Sequence, residues 1–393
     1  MRKFVTLFAV LLLTAGLYAQ NVIPGGTETI KLKGFVSFTT FLQNQSFKFG
    51  NGQNAEWANP PVYTTNKWFG GFDVRNTRLT MVFNGHKKKD QKWNFGGVLE
   101  MDFFGGYVGT SLFAAQMPVP RLRLAYMDFT HNNIRIRLGQ AWTPMFGNVP
   151  VSLSHIAFPL GYGNAGFVGW RFPGIYLYWG LNGKESPVKV RMDFAVFAGS
   201  WNGPGSNTDF LTGGNFGSPQ TELKFNFLAK KWSVYVVGHV DKKNLAPVNV
   251  VNKNLKLTGL AAEIGAKYHT GGFLIQGNLY TGKNIGQQFG AITQVQDTAL
   301  NLRSTGGWFQ IGYTFVRKFG IYAFYGSEKV NHSDAMAALA NPRTKHNLYN
   351  FMLKYNLRKA AISLEWMHSS LTYGKTDANI QGDQISLSAL YKF

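Results

Sequence analysis

The chain has 393 residues, with hydrophobic residues at 45%, aromatic residues at 15% and charged residues at only 15%. Forty Lys and Arg stand against 19 Asp and Glu, a formal net charge of +21, and there are 0 Cys, so disulfides, thiolate metal sites and cysteine nucleophiles are excluded. Beyond the first twenty residues no apolar run approaches the roughly 18 residues a spanning helix needs, which excludes a helical membrane protein.

In chain order the first element reads as a secretory signal peptide over residues 1–19. Arg2 and Lys3 form a charged start, Phe4 to Leu13 an apolar run, and Leu17-Tyr18-Ala19 a small-residue cleavage site before Gln20. Without Arg2 and Lys3, the expected mature chain, residues 20–393, carries 38 basic against 19 acidic residues, a net charge of +19.

From there the hydrophobic period is two. Ile134, Ile136 and Leu138 alternate with Arg135, Arg137 and Gly139; Val188, Val190, Met192, Phe194 and Val196 alternate with Lys189, Arg191, Asp193 and Ala195; Ile385, Leu387, Ala389, Tyr391 and Phe393 alternate with Gln384, Ser386, Ser388 and Lys392. Such runs predict strands near 30–43, 72–85, 91–104, 120–131, 133–141, 166–181, 187–199, 220–229, 231–241, 255–269, 272–282, 304–316, 319–330, 345–357, 359–370 and 380–393, about sixteen in all. Their lengths suit a tilted strand crossing a bilayer. The connections alternate too. Short turns fall at His86–Gln91, His131–Asn133, Asn182–Ser186, Ala229–Lys231, Thr270–Gly272, Arg317–Lys318 and Arg358–Lys359; long loops fall near 44–71, 105–119, 142–165, 200–219, 242–254, 283–303, 331–344 and 371–379. The expected fold is therefore all-β, a transmembrane antiparallel β-barrel with short periplasmic turns and long extracellular loops. A secreted sandwich also has short alternating strands, but its outer faces are polar. Here Phe95, Leu99, Met101 and Phe103, or Tyr349, Phe351, Leu353 and Tyr355, oppose Glu100 and Asp102, or Asn350, Lys354 and Asn356, and so many aromatic faces would leave large apolar patches in water.

The stretches Arg75-Asn76-Thr77-Arg78-Leu79, Gly97-Val98-Leu99-Glu100-Met101-Asp102-Phe103-Phe104-Gly105-Gly106, Arg121-Leu122-Arg123-Leu124-Ala125-Tyr126 and Leu138-Gly139-Gln140-Ala141-Trp142-Thr143-Pro144 resemble the corresponding strands of DcaP-like trimeric porins of Gram-negative outer membranes. The final Tyr391 and Phe393 are similar to the terminal-strand signature that the outer-membrane assembly machinery reads. The resemblance implies an outer-membrane homotrimer, with Phe393 as the contact to that machinery and with outer-membrane lipid and lipopolysaccharide as surroundings. It also makes 142–165, the third long loop, a candidate pore-constriction loop offering Trp142, Met145, Phe146, His155, Phe158 and Tyr162. One departure is that general porins usually carry acids in that loop, whereas 142–165 has no Asp or Glu.

By period two, Arg78, Arg121, Arg123, Arg135 and Arg137 face the lumen from neighbouring strands, with Lys189 and Arg191 beside them and Glu100, Asp102 and Asp193 on the same faces. Guanidinium groups match carboxylate and phosphate oxygens, so an arginine ladder favours anions. The alternative is that these arginines pair with the acids and merely hold the wall in shape. Basic turns at Lys87-Lys88-Lys89, Lys230-Lys231, Arg317-Lys318 and Arg358-Lys359 suit a solvated rim near anionic headgroups. Nucleic-acid binding finds no recognition helix or stacking platform. For catalysis, Ser154-His155 and His368-Ser369 are adjacent, but neighbours in a strand face opposite sides. No zinc spacing, phosphate loop or paired acids appear, so no cofactor, metal or enzymatic activity is expected. The expected function is a passive diffusion channel for small hydrophilic solutes with a preference for small anions. The alternative is a structural or adhesin-type barrel with a plugged lumen.

Overall fold

The computed structural model describes residues 29–59, 68–85, 92–105, 118–183, 185–198, 219–244, 256–295, 300–316 and 318–393. The expected signal peptide, the basic turn at 87–89, Arg317 and most of the loops at 200–219 and 242–254 lie outside the described residues.

Among the described residues the strand segments in chain order are β1 (Thr29–Gln43), β2 (Phe69–Asp73), β3 (Arg78–Asn84), β4 (Asn94–Asp102), β5 (Arg121–His131), β6 (Ile134–Trp142), β7 (Arg171–Gly180), β8 (Lys189–Phe197), β9 (Gln220–Leu228), β10 (Trp232–Asn244), β11 (Lys256–Thr270), β12 (Phe273–Lys283), β13 (Arg303–Phe315), β14 (Phe319–Val330), β15 (Arg343–Leu357), β16 (Ala360–Tyr373) and β17 (Asn379–Lys392). From β3 onward each pairs antiparallel with its chain neighbour. Closure comes from β1, which pairs with β17 on one edge, Phe35 opposite Lys392 through Gln43 opposite Gln384, and with β2 and β3 on the other. The last two are one wall strand. Between the pairs Thr39–Asp73 and Phe35–Arg78, three residues of β1 face the four residues Val74 to Thr77, a bulge with one extra residue. Here the Thr77 hydroxyl accepts the Ser37 N–H at 3.1 Å, standing in for a ladder bond. The barrel is thus closed and sixteen-stranded, and each predicted strand has its counterpart in it.

The polarity of the wall is inverted relative to a soluble sandwich. Phe72, Met127, Ile175, Leu279, Phe309, Phe351, Trp366 and Leu387 are exposed on the outside, whereas the inward Gln310, Glu328, His346 and Glu365 are buried. An apolar exterior of this extent is stable only against lipid. The single α-helix among the described residues, α1 (His332–Ala338), caps the long connection between β14 and β15; the Asn331 side chain accepts the Asp334 N–H at 3.1 Å. Short turns follow their local chemistry: Asn132 (φ 50°) and Gly271 (φ 56°) take the left-handed conformation that the β5–β6 and β11–β12 hairpins require.

Ser388, inward by period two, is buried under an inner segment: the Gln53 side chain donates to Thr39 Oγ1 at 2.8 Å, and Thr39 bonds Ser388 Oγ at 2.9 Å. The chain around Gly52–Asn54 covers that part of the wall.

Candidate functional site

The segment from Thr143 to Trp170, between β6 and β7, carries Pro144, Pro150 and Pro159 and several glycines, so it forms no ladder of its own. Its backbone groups, enclosed by the barrel, need partners. The wall supplies them as side chains. The Met145 N–H donates to Glu222 at 2.7 Å, and Lys224 Nζ donates to the Pro144 carbonyl at 2.7 Å, both wall residues from β9. Gln276 of β12 donates to the Val149 carbonyl, and Gln310 of β13 both accepts from the Val151 N–H and donates to its carbonyl, at 2.7 and 2.9 Å. Glu365 of β16 accepts the N–H groups of Leu153 (2.8 Å) and Ser154 (2.9 Å) and the Ser152 hydroxyl (2.6 Å). Asn76, in the β2–β3 bulge, donates to the Ser154 carbonyl and accepts the Ala157 N–H. On the way back His346 of β15 meets the Asn164 carbonyl and Glu328 of β14 accepts the Gly166 N–H. Gly166 (φ 88°) lies so close to β13 that a Cβ there would sit 2.1 Å from the Gly307 nitrogen, so only glycine fits.

Of the six side chains expected of this loop, five lie in it and Trp142 is the last residue of β6. Met145, His155, Phe158 and Tyr162 are buried, and Trp142 and Phe146 are half-buried and stacked, ring centroids 3.6 Å apart. Tyr162 stacks on Phe289 at 4.4 Å, and with Phe167, Trp308 and Phe324 they build an aromatic core inside the barrel. Burial raises the Tyr162 hydroxyl pKa well above its ordinary value. A second inner segment, Phe47–Ala58, packs on the first: Glu56 accepts from Asn164 Nδ2, and burial holds its carboxyl pKa well above 4.5.

The adjacency argument about Ser154 and His155 fails, because these residues lie in a turn rather than a strand. Ser154 Oγ and His155 Nδ1 are 2.8 Å apart, and His155 Nε2 meets the Ala55 carbonyl at 3.0 Å. Burial lowers the His155 pKa, and both side chains are sealed in, Ser154 at 1% exposure. His368 and Ser369 do face opposite sides, toward Asp383 and His346 respectively.

The other half of the inner wall, β3 to β8, is less covered. Arg121 clasps Asp102 with two bonds of 3.0 and 2.7 Å; Arg123 bridges Glu100 at 2.8 Å and Asp102 at 2.7 Å. The register of β4 and β5 shifts between Glu100 and Met101, so Arg123 stands on a bulge that aims it at both carboxylates. Arg78 lies 3.8 Å from Glu100, too far for a hydrogen bond, and packs over the Phe35 ring. Arg137 is bidentate to Asp128 and Arg191 to Asp193, while Arg135 has no acidic partner among the described residues and lies 4.2 Å over Tyr178. Lys189 is exposed at the short-turn end, apart from the cluster. The side chains of Arg121 (22%), Arg191 (38%) and Arg75 (30%) keep solvent contact.

Sequence reasoning missed Arg75, which clasps Asp73, and Arg171, a buried guanidinium 4.3 Å over Trp170 and 4.9 Å over Trp142 whose Nε and Nη1 have no hydrogen-bond partner among the described residues. Both sit where period two breaks, in a bulge and at a strand end, so alternation could not find them. The set Arg75, Arg78, Arg121, Arg123, Arg135, Arg137, Arg171 and Arg191 faces Asp73, Glu100, Asp102, Asp128 and Asp193, leaving cations in excess.

A closed sixteen-stranded barrel, apolar outside and polar inside, with one long connection folded inward, is the architecture of an outer-membrane porin. Solved structures agree in fold: the outer membrane channel DcaP of Acinetobacter baumannii superposes with a TM-score of 0.72 at 15% identity, covering 93% of this chain and 97% of that one. OmpF of Salmonella typhi, solved with daunomycin, gives a TM-score of 0.59 at 12% identity over 93% and 98% of the two chains, and OmpT, an outer membrane protein of Vibrio cholerae, gives 0.57 at 12% over 94% and 99%. No protein-family model and no curated protein matches the sequence.

Proposed function

We propose that the chain forms a water-filled diffusion channel for small hydrophilic solutes, with a preference for anions. The observation that carries this is the division of labour among inward charges. Glu222, Glu328 and Glu365 are each occupied by backbone N–H groups of the inner segment, whereas the arginines of β3 to β8 outnumber their carboxylates and several stay solvated. Carboxylates so engaged offer little to a passing cation, and an excess of guanidinium lowers the barrier for anions. In this reading Thr143–Trp170 is the constriction, narrowing the lumen by bulk and leaving a path along the arginine wall. Arg78, Arg121, Arg135, Arg137 and Arg191 line that path with Glu100, Asp102 and Asp193; Arg123 acts by neutralising two of those acids. The chain acts without catalysis. It is exported with residues 1–19 as signal peptide, is assembled through its C-terminal strand, and sits among outer-membrane lipid and lipopolysaccharide. The homotrimer is part of the proposal; a trimer form of OmpT of Vibrio cholerae shares the fold at a TM-score of 0.54 and 13% identity.

A plugged structural barrel has one observation in its favour: the inward side chains of β12 to β16 are nearly all buried beneath the inner segments. Planar-bilayer recording under a salt gradient decides between them. Stable current steps with an anion-selective reversal potential support the channel, a cation-selective potential refutes the preference, and silence from folded protein favours the plug.

A further inference from the structure

The connection from β12 to β13 holds backbone strain that a static pore wall does not require. Phe289 (φ 65°), Ala291 (φ 55°), Ile292 (φ 52°) and Thr293 (φ 53°) all take the left-handed conformation. That region favours glycine and disfavours β-branched residues most, so a run containing Ile and Thr persists only where its surroundings over-determine it. Away from this stretch, non-glycine residues with such angles stand singly among the described residues. The surroundings here are side chains from other elements. Glu328 of β14 accepts the Ile292 N–H at 2.8 Å, and Arg343 of β15 donates twice to the Ile292 carbonyl, at 3.2 and 2.9 Å. The Tyr280 hydroxyl of β12 accepts the Ala291 N–H at 3.3 Å, and Gln294 donates to the Ala291 carbonyl at 2.9 Å while exchanging two bonds with the Arg343 backbone. Ile292 is thus gripped at both backbone groups, and its side chain is buried with Leu302, Val330 and Ala335. The base of the connection is pinned separately, the Asn284 N–H to the Leu302 carbonyl at 2.9 Å and the Leu302 N–H to the Asn284 side chain at 2.8 Å.

We propose that Gly286–Thr293 is a strap under tension that gates the lumen, with Glu328 and Arg343 as its latch. Phe289 in the strap stacks on Tyr162 at 4.4 Å and on Trp170 at 4.6 Å, both in the inner segment, and Gly163 passes so close that a Cβ there would sit 2.4 Å from the Phe289 ring. The Gly169 N–H donates to the Gln288 carbonyl at 2.7 Å. The strap therefore wedges the return limb of Thr143–Trp170 in place, and Trp170 carries Arg171 over its ring. Glu328 serves both parts, since its second oxygen accepts the Gly166 N–H at 3.1 Å. In the latched state these contacts outweigh the strain. In the released state Ala291, Ile292 and Thr293 return to ordinary backbone angles, Phe289 leaves the stack, and Trp170 with Arg171 is freed beside the arginine wall. Stored strain narrows the free-energy gap between the two states, as a bistable element requires. Glycine at these positions would make the same cover without tension. What the gate controls rests on the channel reading; the release of the strap does not.

The chain has 0 Cys, so the thiol introduced by Ile292→Cys reports release through its rate of reaction with a water-soluble maleimide, measured on the assembled full chain in lipid vesicles. On that background Arg343→Gln, which cuts the latch, is expected to speed labelling on the order of tenfold, from the loss of hydrogen bonds made by a charged group. Ala291→Gly, which relieves strain and leaves every grip in place, is expected to slow labelling about fivefold, the cost of one alanine held left-handed. The two signs are opposed, whereas a segment that is merely flexible would label faster with either change. Planar-bilayer recording should show longer dwells at a higher current level for Arg343→Gln and shorter ones for Ala291→Gly. Labelling unchanged by Arg343→Gln, or faster with Ala291→Gly, overturns the proposal. Should Arg343→Gln fail to assemble, Phe289→Ala, which spares the latch and removes the wedge, must raise conductance, and an unchanged conductance overturns the gate. Labelling that follows both signs in a chain that carries no current refutes the channel and leaves the strap standing; steady current with flat labelling does the reverse.

Discussion

Replacing Glu365 by Ala removes the anchor at the middle of the inner segment. Its carboxylate accepts the Leu153 and Ser154 N–H groups and the Ser152 hydroxyl, plus the Ser363 hydroxyl from its own strand at 2.9 Å. A buried N–H left unpaired costs about 1–3 kcal/mol, so two orphaned backbone N–H groups alone should destabilise this docking by about 2–6 kcal/mol. The ladder of β15, β16 and β17 is untouched, and Gln310 and Asn76 still hold the segment on either side. The expected outcome is an assembled, heat-modifiable barrel whose constriction moves locally. Single-channel recording should show a changed conductance and increased open-channel noise, and limited proteolysis should cut near 152–155, which the intact protein resists. Glu365→Gln, retaining one acceptor oxygen, should fall between. Unchanged conductance and noise in the assembled Glu365→Ala barrel would refute the constriction role of Thr143–Trp170.

Arg135→Ala should reduce anion preference in the reversal potential by removing a cation with no acidic partner among the described residues, and Arg123→Ala should do so more strongly because it also frees Glu100 and Asp102. Leu353→Arg, on the lipid face, should cost on the order of 2–4 kcal/mol if near the midplane, whereas Asn356→Arg, at the short-turn end, should be mild; urea unfolding in lipid vesicles measures the difference. The buried Glu56 carboxyl, with its raised pKa, binds its proton more tightly when docked than when free, so docking of Phe47–Ala58 should be firmest at acid pH and weaken as pH rises above the ordinary carboxylate value; proteolysis across pH should show this and Glu56→Gln should abolish it. N-terminal sequencing should find Gln20 first, and deletion of Phe393, whose ring lies against Gly34 and whose N–H donates to the Gly34 carbonyl, should impair assembly as judged by the heat-modifiable band.

The wall was legible because its signal is geometric. Most spanning strands alternate over many residues, and a strand such as Phe319–Val330 repeats exposed and buried positions almost without interruption. Where the alternation slips, reading failed: the β2–β3 bulge that turns Asn76 inward, and the start of β7 at Arg171. Most of the inward arginines and the acids they could pair with were found, but not the individual pairs, because which carboxylate meets which guanidinium depends on register, and register is set across strands. The acids of the far wall were hardest to place. Alternation says nothing of what Glu222 and Glu365 meet: their partners are backbone N–H groups 77 and 212 residues away, invisible to any local pattern.

Nearly all the grips on the inner segment take hold of main chain: the N–H groups of Met145, Val151, Leu153, Ser154, Ala157 and Gly166, and the carbonyls of Pro144, Val149, Val151, Ser154 and Asn164. A mount that clamps peptide groups leaves the side chains to two duties: those such as Tyr162 and Phe167 fill the aromatic core, and a few such as Val149 stay exposed. The exposed ones can be exchanged one at a time while the clamp holds, so permeability can drift there with little penalty in folding. The wall acids have no such freedom, since each is matched to fixed positions of someone else's backbone.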